Sequence, residues 1–369
     1  MIEIDIDRLR TLGLTPALAN HAVAALAELD AGRAAPDNPQ LRRVARVHRD
    51  ALHVHDAERE CSARVVPRLV RELADAGTAL AVGDWVLAAP DAHGDGWVHA
   101  RVAPVSHIVR LDADGGRHAV ASNVDTALLV MGLDDDFNPR RIERYLALVA
   151  ASGRIDPVVV LTKADLAARV PGLIAARIDA LRGRVPASID LHAIDGNDPY
   201  TVQQLRPHLG AGQTLVVLGS SGAGKSTLTN TLLGMRVQDT GAVRGHDHRG
   251  IHTTTARSLH RLPGGAWVID TPGLRTLRAD ADEATLAASF GDIAALAAQC
   301  RFRDCTHASE PGCAVRDGVP ADRLGNYRKL LREGRRDSMG VLERRQQLGV
   351  WKARSRASRE RAKSKRGEG

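Results

Sequence analysis

The sequence predicts an α/β protein: a parallel sheet wound with helices, preceded by a small β-barrel and followed by a helical segment built on a metal-type cluster. Three observations carry that reading. Strand-like and helix-like runs alternate between Asn123 and Asp270, the rhythm of a parallel sheet covered on both faces. Short β-rich runs separated by turns come before them, and a compact Cys/His cluster comes after. The expected organisation is an N-terminal helical extension over 1–36, a barrel over 37–115, the sheet domain over 116–280, a helical domain over 281–342 and a basic tail over 343–369.

At 369 residues the chain is long for one domain. Hydrophobic content of 44% and charged content of 26% are those of a globular protein, and with aromatics at 3% the cores must be built from Ala, Val, Leu and Ile. The opening MIEIDIDRLR lacks the basic start and apolar run of a signal peptide, and no apolar stretch approaches the ~20 residues that span a bilayer. A cytoplasmic protein without a membrane partner is expected. The net charge of +7 equals the charge of one segment: Lys352 to Arg366 holds Lys352, Arg354, Arg356, Arg359, Arg361, Lys363, Lys365 and Arg366 against Glu360. A basic end on a neutral body suits a polyanion, nucleic acid before membrane; a solvated charge run is the plainer reading.

In chain order, Thr15-Pro16 reads as cap and first turn of a helix, Pro16 to Leu29, closed by Ala31-Gly32. Leu41 to Val54, Ala63 to Val70, Asp84 to Ala88 and Gly96 to Val102 are the β-rich runs, a pattern shared by five-stranded oligonucleotide-binding (OB) barrels and by purely structural β-domains. Then follow a strand over Val124 to Leu133, a helix over Pro139 to Ala151 and a strand over Asp156 to Leu161. A helix over 167–183, a strand over Ser188 to Ile194, the buried strand Leu215 to Leu218, a helix from Lys225 and a strand over Ala266 to Ile269 complete the sheet. Helices are expected over Asp282 to Ala298 and from Asp322 onward.

Chemistry concentrates first at Gly219-Ser220-Ser221-Gly222-Ala223-Gly224-Lys225-Ser226-Thr227, a phosphate-cradling loop between strand and helix. Its glycines let backbone N–H groups turn around a phosphate chain at a helix N-terminus. Lys225 is placed to reach the terminal phosphates and the Ser226 hydroxyl to ligate Mg²⁺. Asp270-Thr271-Pro272-Gly273 follows a buried strand, where Asp270 suits the metal side and the Gly273 N–H the γ-phosphate. Thr162-Lys163-Ala164-Asp165 is an N/T-K-x-D element: the Asp165 carboxylate accepts from guanine N1–H and N2–H₂, a donor pair adenine lacks, and the Lys163 stem packs on the base. Thr162 stands where many guanine-nucleotide proteins have Asn.

Between the phosphate loop and Asp270 lies the polar stretch His246 to Thr255, in which Thr254 or Thr255 is placed to bind Mg²⁺. Leu274 occupies the position of the water-orienting Gln of Ras-like GTPases, so His252 is the candidate for that role; an exposed loop histidine is the plainer reading. Cys300-x₄-Cys305-x-His307-x₅-Cys313 has the make-up of a structural, tetrahedral Zn²⁺ site, whereas a disulfide would use two of its three cysteines.

The motif order is unusual, with Asp165 sixty residues ahead of Lys225. A circularly permuted domain closes the same site from that order. Together with Val82-Gly83-Asp84-Trp85-Val86, Asn123-Val124-Asp125, Arg144-Tyr145-Leu146, Leu161 to Leu166, His252 to Thr255 and Cys300 to Val315, these motifs make the chain resemble the circularly permuted GTPases of the ribosome small-subunit-dependent GTPase A type. The resemblance runs from about Arg46 to the basic tail. It implies an OB-fold barrel, a permuted GTPase domain and a zinc-bearing helical domain. It further implies GTP as substrate, Mg²⁺, one structural zinc, and action in late 30S maturation with hydrolysis stimulated by the small subunit and its rRNA. A monomer is expected in solution. The guanine-backing element of the family has no recognisable counterpart near Ala193-Ile194-Asp195-Gly196. A P-loop ATPase or kinase, and a nucleic-acid-binding P-loop protein of unrelated role, are the competing readings.

Overall fold

The computed structural model describes residues 5–31, 36–48, 52–91, 96–112, 116–235, 257–271, 278–279 and 281–338. The chain divides into two compact units, Met1–Asp280 and Ala281–Gly369. No helix among the described residues is long and apolar enough to cross a membrane.

The first unit opens with two helices, not one. α1 (Ile6–Thr11) is capped by Asp5, whose Oδ1 accepts from Arg8 N at 3.0 Å. α2 (Pro16–Ala31) starts where expected, the Thr15 hydroxyl accepting from Leu18 N at 3.3 Å. Leu18, Ala22, Ala25 and Leu29 make its buried stripe.

The barrel consists of β1 (Gln40–Val47), β2 (Leu52–His55), β3 (Glu60–Val65), β4 (Trp85–Pro90) and β5 (Gly96–Arg101). The order β1-β2-β3-β5-β4 closes through the β1–β4 pairing. Val44, Val54, Val86 and Val98 fill it. Two of the β-rich runs hold more than one element. Leu41 to Val54 holds both β1 and β2, and Ala63 to Val70 ends as a strand at Val65 because Pro67 opens α3 (Pro67–Asp75), its fixed φ suiting a first helical turn. β6 (His107–Leu111) and β7 (Arg117–Ser122) form a hairpin that pairs with β14 (Arg278–Ala279) in a separate three-stranded sheet.

The main sheet alternates as expected: β8 (Thr126–Gly132), α4 (Pro139–Ala150), β9 (Asp156–Thr162), α5 (Ala164–Ala167), α6 (Leu173–Arg182), β10 (Leu191–Ala193), α7 (Tyr200–Gln204), β11 (Thr214–Gly219), α8 (Lys225–Leu233), β12 (Ser258–Arg261) and β13 (Trp267–Asp270). Of the helix expected over 167–183 the structure keeps α6, which starts only after Pro171-Gly172, Gly172 taking φ 76°, while α5 lies ahead of it and shares only Ala167 with that range. Strand order is β10-β9-β8-β11-β13-β12, parallel except for β12. Along β8, Ala127, Leu129 and Met131 enter one buried core while Leu128 and Val130 enter another, so both faces of the strand are covered. A bridge between Arg46 of β1 and Ser258 of β12 makes barrel and sheet one hydrogen-bonded surface.

Arg43 of β1 fixes this junction. Its guanidinium is fully buried and donates to Leu12 O (2.5 Å), Gly83 O (3.3 Å) and Asn123 O (2.9 Å), one carbonyl each from the N-terminal helices, the barrel and the entry to β8. Burial pushes its pKa down to about 10 while Asp125 and Asp84 pull the other way, so it stays charged at neutral pH.

In the second unit the helix expected over Asp282 to Ala298 breaks at Phe290 into α9 (Glu283–Ser289) and α10 (Gly291–Ala297). α11 (Ala314–Gly318) and α12 (Ala321–Ser338) follow. Phe290 and Ile293 are buried, and Arg323 sits over the Phe290 ring at 5.1 Å while bonding Asp292 at 2.8 and 3.1 Å. The basic tail lies outside the described residues.

Arg43→Ala takes this donor from the carbonyls of Leu12 and Asn123 and leaves Gly83 O with Asn123 Nδ2. Unfolding in urea is expected to show a loss on the order of 3–5 kcal/mol, and an unchanged midpoint would contradict this account of the junction.

Candidate nucleotide and metal sites

The phosphate loop sits at the C-terminal edge of the sheet, where open α/β sheets place their ligands. β11 ends at Gly219, where a Cβ would meet Val130 O at 2.5 Å, so only glycine fits between the two strands. Gly222 and Gly224 take φ of 82° and 84°, the left-handed region that turns the loop back to the start of α8. Lys225 is 7% exposed and its Nζ donates to Ser220 O at 2.6 Å. Burial lowers its pKa, and Asp270 and Asp136 act against that shift.

The Thr162-Lys163-Ala164-Asp165 element is bonded to the same loop. The Thr162 hydroxyl, buried at the end of β9, donates to Ala223 O at 2.6 Å, and a Cβ on Gly224 would stand 3.1 Å from Thr162 Oγ1. Lys163 follows with φ 62°, and its Nζ donates to Asp134 Oδ2 at 2.6 Å. Burial works to raise the Asp134 pKa, but the hydrogen bonds from Lys163 and from Asp136 N outweigh it and hold the carboxyl below its ordinary range. Asp165 lies exposed in the first turn of α5.

Asp270 closes β13, and the next side chain, Thr271, donates to Val217 O at 2.6 Å across to β11. The structure therefore brings together Thr162, Lys163, Gly219, Ser220, Ala223, Gly224, Lys225 and Asp270, with Ser221, Gly222, Ser226 and Thr227 on the same loop and first turn. His252, Thr254, Thr255 and Gly273 lie outside the described residues.

Sequence reasoning missed three features. Asp136 accepts from the Ser220 hydroxyl at 2.8 and 2.9 Å, Arg141 Nη1 donates to Ser220 Oγ at 2.7 Å, and the two residues form an ion pair that braces the loop. Their signal was position, immediately after a central parallel strand. The stretch after β10 is tied in from both sides: Ala164 N donates to Ile194 O at 3.1 Å, and the Thr231 hydroxyl donates to Gly196 O at 2.6 Å. In the second unit, Glu310 staples the turn between zinc-type ligands, taking N–H groups from Thr306 (2.9 Å), Ala308 (2.7 Å) and Ser309 (3.0 Å). The Thr306 hydroxyl, with the backbone N–H groups of Glu310, Thr306 and Ala308, pulls its carboxyl down to about 2.

Cys300, Cys305, His307 and Cys313 offer ligand atoms within 4.8 Å of one another. Cys300 Sγ lies 3.9 Å from Cys313 Sγ and 3.6 Å from His307 Nδ1, which is 3.5 Å from Cys313 Sγ. Tetrahedral zinc with Zn–S near 2.3 Å sets its ligands about 3.8 Å apart, so the donor set and its spacing fit that ion. His307 takes φ 58°, which aims its ring back at the cysteines, and Arg316 N donates to Cys313 Sγ at 3.3 Å.

A family model described as RsgA GTPase matches residues 103–280. The chain is 46% identical over 297 residues to a small ribosomal subunit biogenesis GTPase RsgA of Xanthomonas campestris pv. campestris (strain B100), covering 78% of this chain and 79% of that protein. It is 45% identical over 300 residues to the protein of the same name from Xanthomonas axonopodis pv. citri (strain 306), covering 79% and 80%. Among solved structures it is similar to YjeQ from Thermotoga maritima (TM-score 0.57, 22% identity, 80% of this chain and 98% of that one). It is also similar to YloQ, a circularly permuted GTPase (TM-score 0.55, 21% identity, 83% and 98%), and both likenesses bear on the fold.

Two outcomes are expected. Thr162→Val removes the donor to Ala223 O and should weaken nucleotide binding by about 1–2 kcal/mol, read by titration of a fluorescent guanine nucleotide. Cys313→Ser should release one zinc per chain on metal analysis and lower the thermal transition of the helical unit, because structural zinc contributes folding energy on the order of 10 kcal/mol.

Proposed function

The chain belongs to the small ribosomal subunit biogenesis GTPases named RsgA, and from that premise we propose that it binds GTP with Mg²⁺, hydrolyses it on the small subunit and acts late in 30S maturation. The observation that carries the reading is the Thr162–Ala223 bond, which holds the guanine-reading and phosphate-binding elements together despite their reversed order in the chain. A P-loop ATPase has no use for Asp165 at that place.

In this reading the loop N–H groups from Ser220 to Lys225 cradle the phosphates, and the Lys225 amine leaves Ser220 O for the β- and γ-phosphates. Its partial desolvation strengthens that contact. Asp165 accepts from guanine N1–H and N2–H₂, and the Lys163–Asp134 pair fixes the lysine stem beside the base. Asp134 and Asp136 thus set the two sides of the site, one through Lys163 and one through Ser220. Ser226, Asp270 and Thr254 or Thr255 would hold Mg²⁺, which would supply positive charge against that developing on the phosphates. Gly273 N–H meets the γ-phosphate, and His252 orients water in place of the absent Gln. The Cys₃His cluster has no open position for chemistry and serves as the core of its unit.

The small subunit is the partner, with contacts to rRNA supplied by the barrel and by the basic tail from Lys352 to Arg366. The protein works as a monomer in the cytoplasm.

Turnover measured with and without purified 30S subunits tests the proposal. The subunit should accelerate GTP hydrolysis at least about tenfold, and Lys225→Ala should abolish at least about a hundredfold of that rate. Absence of acceleration at low salt would overturn the ribosomal assignment. Asp165→Ala should reduce the preference for GTP over ATP by a few kcal/mol. His252→Ala should slow turnover on the subunit while leaving GTP affinity unchanged.

A further inference from the structure

One more group of side chains converges outside the sites described. Asp190, His192 and His208 each offer a ligand atom within 4.8 Å of the other two. The fold builds this meeting. Asp190 O accepts from Val159 N at 2.9 Å, so Asp190 already runs in the ladder of β10 with β9, and Asp190 and His192 leave the same face of the edge strand. His208 ends a 3-10 turn (Arg206–His208) that follows α7, and the turn is pinned by Leu205, which is fully buried in the core and accepts from His208 N at 2.9 Å.

The chemistry of the meeting is that of acceptors facing one another. Asp190 Oδ2 stands 3.1 Å from His208 Nε2, and the His192 and His208 rings meet edge to face with centroids 6.3 Å apart. Both Nε2 atoms are buried without a hydrogen-bond partner, the carboxylate lying near His208 but out of line for a ring N–H. Buried polar nitrogens left in this state are costly unless a cation or proton joins them to the carboxylate.

The geometry points to a second metal site, in which Asp190, His192 and His208 bind one divalent ion of the imidazole-preferring class, Zn²⁺ before Ni²⁺ or Cu²⁺. Two imidazoles and one carboxylate suit those ions and not Mg²⁺, which demands oxygen ligands. Three protein ligands leave the fourth position to water, so the site is open and exchangeable, unlike the closed Cys₃His cluster. Its place gives it leverage. The ion would clip the edge strand β10 to the turn before β11, and β10 runs directly into the Ile194–Gly196 stretch bonded to Ala164 and Thr231.

The test uses the untagged full chain, carrying one zinc at its Cys₃His cluster, dialysed against Zn²⁺ and analysed for metal. A second equivalent is expected. His192→Ala and His208→Ala should each weaken that equivalent at least about tenfold and leave the first intact. Asp190→Asn, which keeps the shape of the side chain, should weaken it as well, with guanine-nucleotide binding serving as the check that each variant is folded. Co²⁺ at the second site should give d–d bands without the thiolate charge-transfer absorption of the first. Binding of a single equivalent by the unaltered chain would overturn the proposal and leave an ion pair only. A second equivalent that survives both histidine substitutions would overturn it too, placing that ion on other ligands.

Discussion

A guanidinium buried where three chain segments meet is the constraint on which the first unit depends. Taking Arg43 out of water is expensive, and it is tolerated because each of its three nitrogens finds a backbone carbonyl while Asp84 and Asp125 supply opposite charge. The same groups serve other bonds. Gly83 O also accepts from Asn123 Nδ2 at 3.0 Å, and Asp125 Oδ2 accepts from Thr214 N at 2.7 Å at the start of β11. A Cβ on Gly83 would strike Ser122 O at 2.1 Å, so the closeness of barrel and sheet requires glycine there. The Trp267 indole donates to Thr11 O at 2.7 Å, adding a second tie from the sheet to the N-terminal helices. Barrel, helices and main sheet therefore share their polar interior.

This explains what two of the shared sequence motifs are for. Val82-Gly83-Asp84-Trp85 and Asn123-Val124-Asp125 carry no chemistry toward a nucleotide. They supply the acceptors and counter-charges of the Arg43 junction: Asp84 is fully buried, its carboxyl raised by that burial and held by Arg101 at 2.9 Å and Ala81 N at 2.8 Å. A parallel sheet is indifferent to the order in which its strands are synthesised, provided each finds its neighbours. What permutation changes is where the chain enters and leaves. Here it enters β8 from the Asn123 corner and leaves after β13, with β14 and the helical unit following in the chain.

The parts of the molecule legible in the sequence are those whose signal is local. The phosphate loop, Thr162 to Asp165 and the Cys₃His cluster each lie within a few residues, and their chemistry fixes their spacing. Arg43 is the opposite case: it alternates with the apolar Leu41, Ala45 and Val47, and nothing local shows that carbonyls of Leu12 and Asn123 arrive from distant segments to pair a guanidinium on that face. Asp136 and Arg141 act on Ser220 across about eighty residues, and His208 reaches Asp190 through a turn with no periodic pattern. α1 and the short β12 were too brief for periodicity to register, and Phe290 and Pro67 divided elements that hydropathy ran together. Long-range satisfaction of buried polar groups is decided by the tertiary fold, and no window of sequence contains it.

Thr162 sharpens how the guanine side must work. Its hydroxyl has one proton, and that proton is committed to Ala223 O at 2.6 Å; the second carbonyl in reach, Met131 O, is 3.4 Å away. An asparagine at the same place has two amide protons and a carbonyl, enough to hold the loop and still offer a group to a ligand. With threonine the position is structural: it ties strand β9 to the phosphate loop and has no donor left over. In the proposed reading, recognition of the base therefore falls on Asp165 and on the stem of Lys163, whose amine is occupied by Asp134. Asp165 carries no such tie to the loop, so it is the one polar group of the element free to answer the base. Fixing the threonine to the loop is what makes its placement reproducible, because the backbone that carries Asp165 begins one bond beyond the buried end of β9 and turns through the left-handed Lys163.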